Sequence, residues 1–124
     1  MTNKRILVVD DEEVIRKTLR IHLEKIGHEV KEASDGMEAL RKLGGEKFDL
    51  LICDILMPKK DGWEVLKELR SNPSTKDMPV IVLTAKTRDE DMFRGYDLGA
   101  NYFMNKPFTK SQLLYGVKLM FGEA

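Results

Sequence analysis

The sequence predicts an α/β fold in which five parallel strands form one sheet with helices on both faces. Short apolar runs alternate with amphipathic stretches along the chain, and Gly and Pro residues separate them. A parallel connection needs a crossover of helix length. Regular alternation of strand and helix therefore favours a parallel sheet over hairpins.

The predicted strands are short aliphatic runs. Three of them are continuously apolar, which is typical of central strands buried on both faces, and the second and fifth are weaker candidates. The predicted strands are Ile6–Val9, Glu29–Ala33, Leu50–Cys53, Val80–Leu83 and Tyr102–Met104. Five strands suit the flavodoxin-like order 2-1-3-4-5, in which ligands bind at the carboxyl ends of strands 1 and 3.

The predicted helices carry apolar residues at helical spacing. Ile15, Leu19 and Leu23 fall on one face of the first helix, and Leu113 and Val117 on one face of the last. Glycines and prolines mark the ends of the other helices, with Gly44 and Gly45 closing the second. The predicted helices cover 15–26, Gly36–Leu43, Gly62–Arg70, Asp89–Leu98 and 113–121.

The composition is that of a globular domain. The 124 residues are 42% hydrophobic and 34% charged, which predicts one domain over residues 1–124. Because 21 Lys and Arg balance 21 Asp and Glu, no net positive charge attracts nucleic acid. The apolar runs are far shorter than the ~20 residues of a membrane span. Cys53 is the single cysteine, which fits a reducing cytoplasm. From these three observations we expect a cytoplasmic protein that contacts neither nucleic acid nor a membrane directly.

Polar side chains follow four of the predicted strands. Asp10 and Asp11 follow the first, Asp54 the third, Thr84 the fourth and Lys106 the fifth. Because the carboxyl ends of parallel strands share one edge of a sheet, we expect these side chains to converge. Each alone has a structural interpretation, since Asp11 could cap the first helix, Thr84 could end a strand and Lys106 could be solvated. Five such residues on one edge favour a functional site.

The convergent residues suit metal-assisted phosphoryl transfer. Clustered carboxylates repel one another, and oxygen ligands of this kind suit Mg²⁺. Asp11 and Asp54 are candidate direct ligands, and Asp10 either binds the metal or holds a metal-bound water. A carboxylate at such a site can attack phosphorus, and Asp54 is best placed. Lys106 and Thr84 would stabilise charge on the transferring oxygens.

Five ordered blocks match a known pattern: ILVVDD at 6–11, DILMPKKDG at 54–62, LTA at 83–85, GA at 99–100 and KPF at 106–108. Through them the chain resembles the response-regulator receiver family over almost its whole length. The resemblance implies that Asp10 and Asp11 bind Mg²⁺ and that Asp54 is the phosphoacceptor and a metal ligand. It also implies that Leu56 lends a backbone carbonyl to the metal and that Lys106 is the counter-ion.

The resemblance also implies a conformational switch. Thr84 would turn toward the phosphoryl group and Phe103 would respond, although an aromatic residue in a short strand can also be core packing. The Lys106–Pro107 bond is expected to be cis. Leu56 and Lys86, at positions where family members vary, offer no acceptor for an attacking water, so slow self-dephosphorylation is one expectation.

The function implied is that of a two-component phosphorelay response regulator and not of an enzyme. The expected partners are a sensor histidine kinase or histidine phosphotransferase and a downstream protein target, because no output domain is expected after the last helix. Two rivals fit less well. An aspartyl-phosphate phosphatase needs a second Asp where Leu56 stands, and a flavodoxin phosphate would be repelled by the acidic residues 10–13. A passive binding module of the same fold stays open.

Overall fold

The structure is a computed structural model of the chain that describes residues 3–55, 61–85 and 96–123. Within these residues the chain forms five strands and four helices. The strands are β1 (Arg5–Val9), β2 (Glu29–Ala33), β3 (Leu50–Asp54), β4 (Val80–Thr84) and β5 (Tyr102–Asn105). The helices are α1 (Glu13–Lys25), α2 (Gly36–Gly45), α3 (Gly62–Ser71) and α4 (Lys110–Met120).

The sheet is entirely parallel, with the order β2-β1-β3-β4-β5. This confirms the predicted fold class and strand order. The strand bounds agree with prediction to within one residue, whereas Gly44 and Gly45 lie inside the last turn of α2 instead of ending it. β1 and β3 lie side by side in the middle of the sheet, so their carboxyl ends are neighbours.

Each face of the sheet has its own hydrophobic core. Successive residues of β1 point to opposite faces, so Ile6 and Val8 join one cluster and Leu7 and Val9 join the other. The first cluster packs under α1 and α4, and the second under α2 and α3. The aliphatic strands are thus buried on both sides, which explains their continuous apolar sequence.

Side chains cap three of the helices at their N-termini. Asp35, Asp61 and Thr109 each accept a hydrogen bond from a backbone N–H in the first turn of α2, α3 and α4, respectively. α1 begins after Glu12 and has no side-chain cap. The suggestion that Asp11 caps this helix is therefore wrong, which leaves its carboxylate available at the sheet edge.

Several predictions fall on residues outside the described part of the chain. These are the carbonyl of Leu56, the side chain of Lys86 and most of the predicted helix Asp89–Leu98. None of the helices in the described ranges is long and apolar enough to cross a membrane.

Candidate functional site

Three carboxylates meet at the carboxyl ends of β1 and β3. One oxygen each of Asp10, Asp11 and Asp54 lies within 4.8 Å of the other two. Asp10 is completely buried and Asp54 nearly so, whereas Asp11 is exposed. The sheet thus places two buried acidic groups beside an open one, as the strand order requires.

The ammonium group of Lys106 lies among these carboxylates. Its Nζ is 2.6 Å from Asp10 Oδ2, 3.2 Å from Asp54 Oδ2 and 3.4 Å from Glu12 Oε2. The contact with Asp10 is an ion pair, and Lys106 also donates hydrogen bonds to Asp54 and Glu12. Sequence reasoning did not assign Glu12 to the site, although its place directly after Asp10 and Asp11 is the signal that could have done so.

Burial and ion pairing compete in setting the pKa values of this cluster. Burial raises the pKa of Asp10, and the contact with Lys106 offsets this only in part. Burial alone would lower the pKa of Lys106, but the two aspartates Asp10 and Asp54 outweigh it and raise that pKa. One ammonium faces several carboxylates, so the cluster is short of positive charge. Carboxylate oxygens this close, in a site with one exposed member, fit a small divalent cation such as Mg²⁺.

The end of β4 positions the other two predicted residues. Thr84 is buried, and its carbonyl accepts a hydrogen bond from the Lys106 N–H at 2.7 Å. The preceding carbonyl, of Leu83, accepts from the Ile55 N–H at 3.1 Å. The end of β4 therefore holds the backbone of Ile55, next to Asp54, on one side and the backbone of Lys106 on the other. The Lys106–Pro107 peptide is cis, as expected.

Gly62 allows α3 to begin directly against the backbone of Asp54. A Cβ atom on Gly62 would lie 2.5 Å from the carbonyl oxygen of Asp54 and 2.9 Å from Ile55 Cα. The Gly62 N–H donates to the Ile55 carbonyl at 2.7 Å. This approach fixes the backbone of the central carboxylate, and only glycine leaves room for it.

Phe103 sits in an aromatic cluster on the α2 and α3 side of the sheet. Its ring centroid is 5.2 Å from that of Tyr96 and 6.4 Å from that of Trp63. Tyr102, the neighbouring residue, packs on the opposite face. Trp63 follows Gly62 in α3, so the described residues link the backbone beside Asp54 to Phe103 through a single helical turn.

The single cysteine and the two histidines differ in burial. Cys53 is buried in the core, and burial raises the pKa of its thiol, as expected of a packing residue. His22 is partly exposed. His28 is buried, because the ring of Phe121 packs against it and the Lys4 N–H donates to its Nδ1.

Comparison with known proteins identifies the family. The sequence model of one protein family, the response regulator receiver domain, matches residues 6–118 of this chain. The chain belongs to the response regulator receiver family. Receiver domains are signalling domains.

Two curated relatives cover most of this chain. The alkaline phosphatase synthesis transcriptional regulatory protein PhoP of Bacillus subtilis is 47% identical over 116 residues, which are 94% of this chain and 48% of PhoP. The response regulator MprA of Mycobacterium ulcerans is 42% identical over 110 residues, which are 89% of this chain and 47% of MprA. The chain thus spans about half the length of these relatives.

Solved receiver structures have the same architecture. The chemotaxis protein CheY4 of Vibrio cholerae has a TM-score of 0.92 and 34% identity, with 96% of this chain and 99% of CheY4 covered. The receiver domain of the sensor histidine kinase PA1611 from Pseudomonas aeruginosa has a TM-score of 0.89 and 26% identity, with 98% and 99% covered. That receiver is described with a magnesium ion coordinated in its active site cleft.

Proposed function

We propose that this receiver accepts a phosphoryl group on Asp54 in a Mg²⁺-dependent reaction and passes the signal to a protein target. The observation that carries the proposal is the position of Lys106, whose ammonium contacts both Asp10 and Asp54 beside the three-carboxylate cluster. A nucleophile, a fixed cation and a set of metal ligands are the groups that phosphoryl transfer to a carboxylate requires.

Each residue has a distinct part in the proposed transfer. An oxygen of Asp54 attacks the phosphorus of a phosphohistidine on the donor protein, and a new P–O bond forms. The P–N bond breaks, and its electrons return to the imidazole nitrogen of the donor. Lys106 supplies positive charge to the transferring oxygens, and the hydroxyl of Thr84 donates a hydrogen bond to one of them. When bound by Asp10, Asp11, Asp54 and the Leu56 carbonyl, Mg²⁺ would neutralise charge that develops during transfer.

The proposed donor is a phosphohistidine on a sensor histidine kinase or a histidine phosphotransferase. Val14 is 74% exposed and follows the acidic residues directly, so a protein donor that reaches Asp54 from this side would contact it. Replacing Val14 with Glu should slow transfer from the protein donor but not from a small phosphodonor. Equal slowing with both donors would contradict the docking proposal. A cytoplasmic location and a protein target stay predictions.

The proposed signal is a rearrangement of Phe103. Movement of Thr84 toward the phosphoryl group would open space next to β5, where Phe103 already packs against Tyr96 and Trp63. The half-buried position of Phe103 supports this, since a fully packed ring could not move without a large cost.

Intact mass spectrometry tests the proposed function. The protein is incubated with a small phosphodonor, with Mg²⁺ or with a chelator, and we expect one phosphoryl mass only when Mg²⁺ is present. Asp54→Asn should abolish the added mass. Asp49→Asn is the matched control, because Asp49 lies before the start of β3, at the opposite end of that strand.

No added phosphoryl mass on the wild-type protein under any of these conditions would contradict the proposal. It would instead favour the passive binding module that the fold also permits.

A further inference from the structure

Arg16, on the first helix, connects the acidic site to the neighbouring strand. Its Nη1 donates a hydrogen bond to the backbone carbonyl of Asp10 at 2.7 Å. Its Nε donates to Glu32 Oε1 at 3.1 Å. Both side chains are largely buried, with 16% and 23% of their surface exposed. Sequence analysis assigned no role to either residue.

The carbonyl that Arg16 holds belongs to the peptide unit joining Asp10 to Asp11. That unit is planar, so fixing its oxygen fixes the direction in which the chain leaves Asp10 and enters Asp11. On the other side, the Asp10 N–H donates to the Ala33 carbonyl at 3.2 Å. β2 and Arg16 therefore hold the residue pair from both sides.

We propose that Arg16, aimed by Glu32, is a positioning residue for the metal site, because it sets the relative orientation of Asp10 and Asp11. The inference rests on the proposed function, in which these two carboxylates bind Mg²⁺. Arg16 acts on the two carboxylates through the backbone, as outer-shell partners of metal ligands do.

Positioning and charge predict opposite effects on metal affinity. The guanidinium is positive, so by Coulomb's law its removal should tighten binding of a cation nearby. If Arg16 instead orients the ligands, its removal should weaken binding, because the two carboxylates lose their fixed relation. The sign of the change in Mg²⁺ affinity therefore separates the two roles.

Calorimetric titration with Mg²⁺ alone measures this sign. We expect Arg16→Gln and Glu32→Ala each to raise the Kd for Mg²⁺ about tenfold, the lower end of the usual cost of losing an outer-shell partner. Arg16→Lys should give an intermediate value, because lysine can reach one acceptor but not both. The matched control is Arg20→Gln, since Arg20 also pairs with Glu32, at 2.8 Å, but has no bond to the Asp10 carbonyl.

A measurement without metal keeps the inference separate from the proposed function. Amide hydrogen exchange of Asp11 and Glu12, followed by NMR, should be faster in Arg16→Gln and Glu32→Ala than in wild type and Arg20→Gln. Thermal unfolding of each variant verifies that the fold is intact.

Tighter Mg²⁺ binding by Arg16→Gln, or unchanged affinity together with unchanged exchange, would overturn the inference. If the wild type binds no Mg²⁺, the proposed function fails. In that case faster exchange in the two variants still supports Arg16 as the residue that holds the Asp10–Asp11 peptide, and unchanged exchange overturns it.

Discussion

Replacing Gly62 with alanine should destabilise the protein and displace Asp54, the proposed phosphoacceptor. The added Cβ would lie 2.5 Å from the Asp54 carbonyl oxygen and 2.9 Å from Ile55 Cα, both well inside the ~3.5 Å of normal carbon contact. Both atoms belong to the backbone, so no side-chain rotation can relieve the overlap. Either α3 or the end of β3 must move.

The expected cost follows from two opposing terms. Overpacking of a rigid site costs about 1–3 kcal/mol, and the backbone contact places Gly62→Ala near the upper end. Alanine at a helical position returns up to about 1 kcal/mol, because it restricts the unfolded chain. We therefore expect the free energy of unfolding to fall by about 2 kcal/mol.

Urea unfolding of wild type and variant measures this difference, and phosphorylation followed by mass spectrometry measures the effect on Asp54. Gly44→Ala is the matched control, because a Cβ there meets nothing within 4 Å and Gly44 lies in α2. We expect Gly44→Ala to raise the free energy of unfolding by about 0.5–1 kcal/mol. A Gly62→Ala protein as stable as wild type, and phosphorylated at the same rate, would refute the argument.

Three further predictions concern other parts of the molecule. Arg70→Gln should lower the free energy of unfolding by about 2–3 kcal/mol, because the guanidinium bonds the Gly99 carbonyl, the Asn101 side chain and two loop carbonyls; urea unfolding beside exposed Arg41→Gln measures it. Burial lowers the pKa of His28 from its ordinary 6.5, so its contribution to stability is present above that pH and is lost as the pH falls through the folded-state pKa. His28→Gln should remove that part of the pH profile of unfolding, and an unchanged profile would contradict this. Thr84→Ala should reduce the phosphorylation-induced NMR shifts of the Phe103 ring, whereas shifts of wild-type size would disprove the coupling.

The sheet edge could be predicted from sequence because strand order and strand ends determine it. Asp10, Asp54 and Thr84 stand at the ends of aliphatic runs, and a parallel sheet has to bring such ends together. The role of Lys106 was accessible for the same reason, since it follows the last strand. The proposed switch role of Phe103 came only from the family resemblance, because ring packing does not follow from strand periodicity.

Contacts made by long or distant side chains could not be predicted. Arg16 on α1 bonds both the Asp10 carbonyl and Glu32 on β2, and no spacing in the sequence encodes that pair of contacts. The burial of His28 is a second example. Its burial depends on Phe121, 93 positions away in the chain, whose ring centroid lies 5.5 Å from that of the imidazole.

The most direct test of the account is to locate the phosphoryl group on the chain. Wild-type protein phosphorylated in Mg²⁺ is reduced with borohydride, which converts an aspartyl phosphate to homoserine, and the peptides are then sequenced by mass spectrometry. We expect homoserine at position 54 alone, because Asp54 is the carboxylate that ends the central strand and contacts Lys106 at 3.2 Å. Homoserine at Asp10 or Asp11, with Asp54 unchanged, would contradict it.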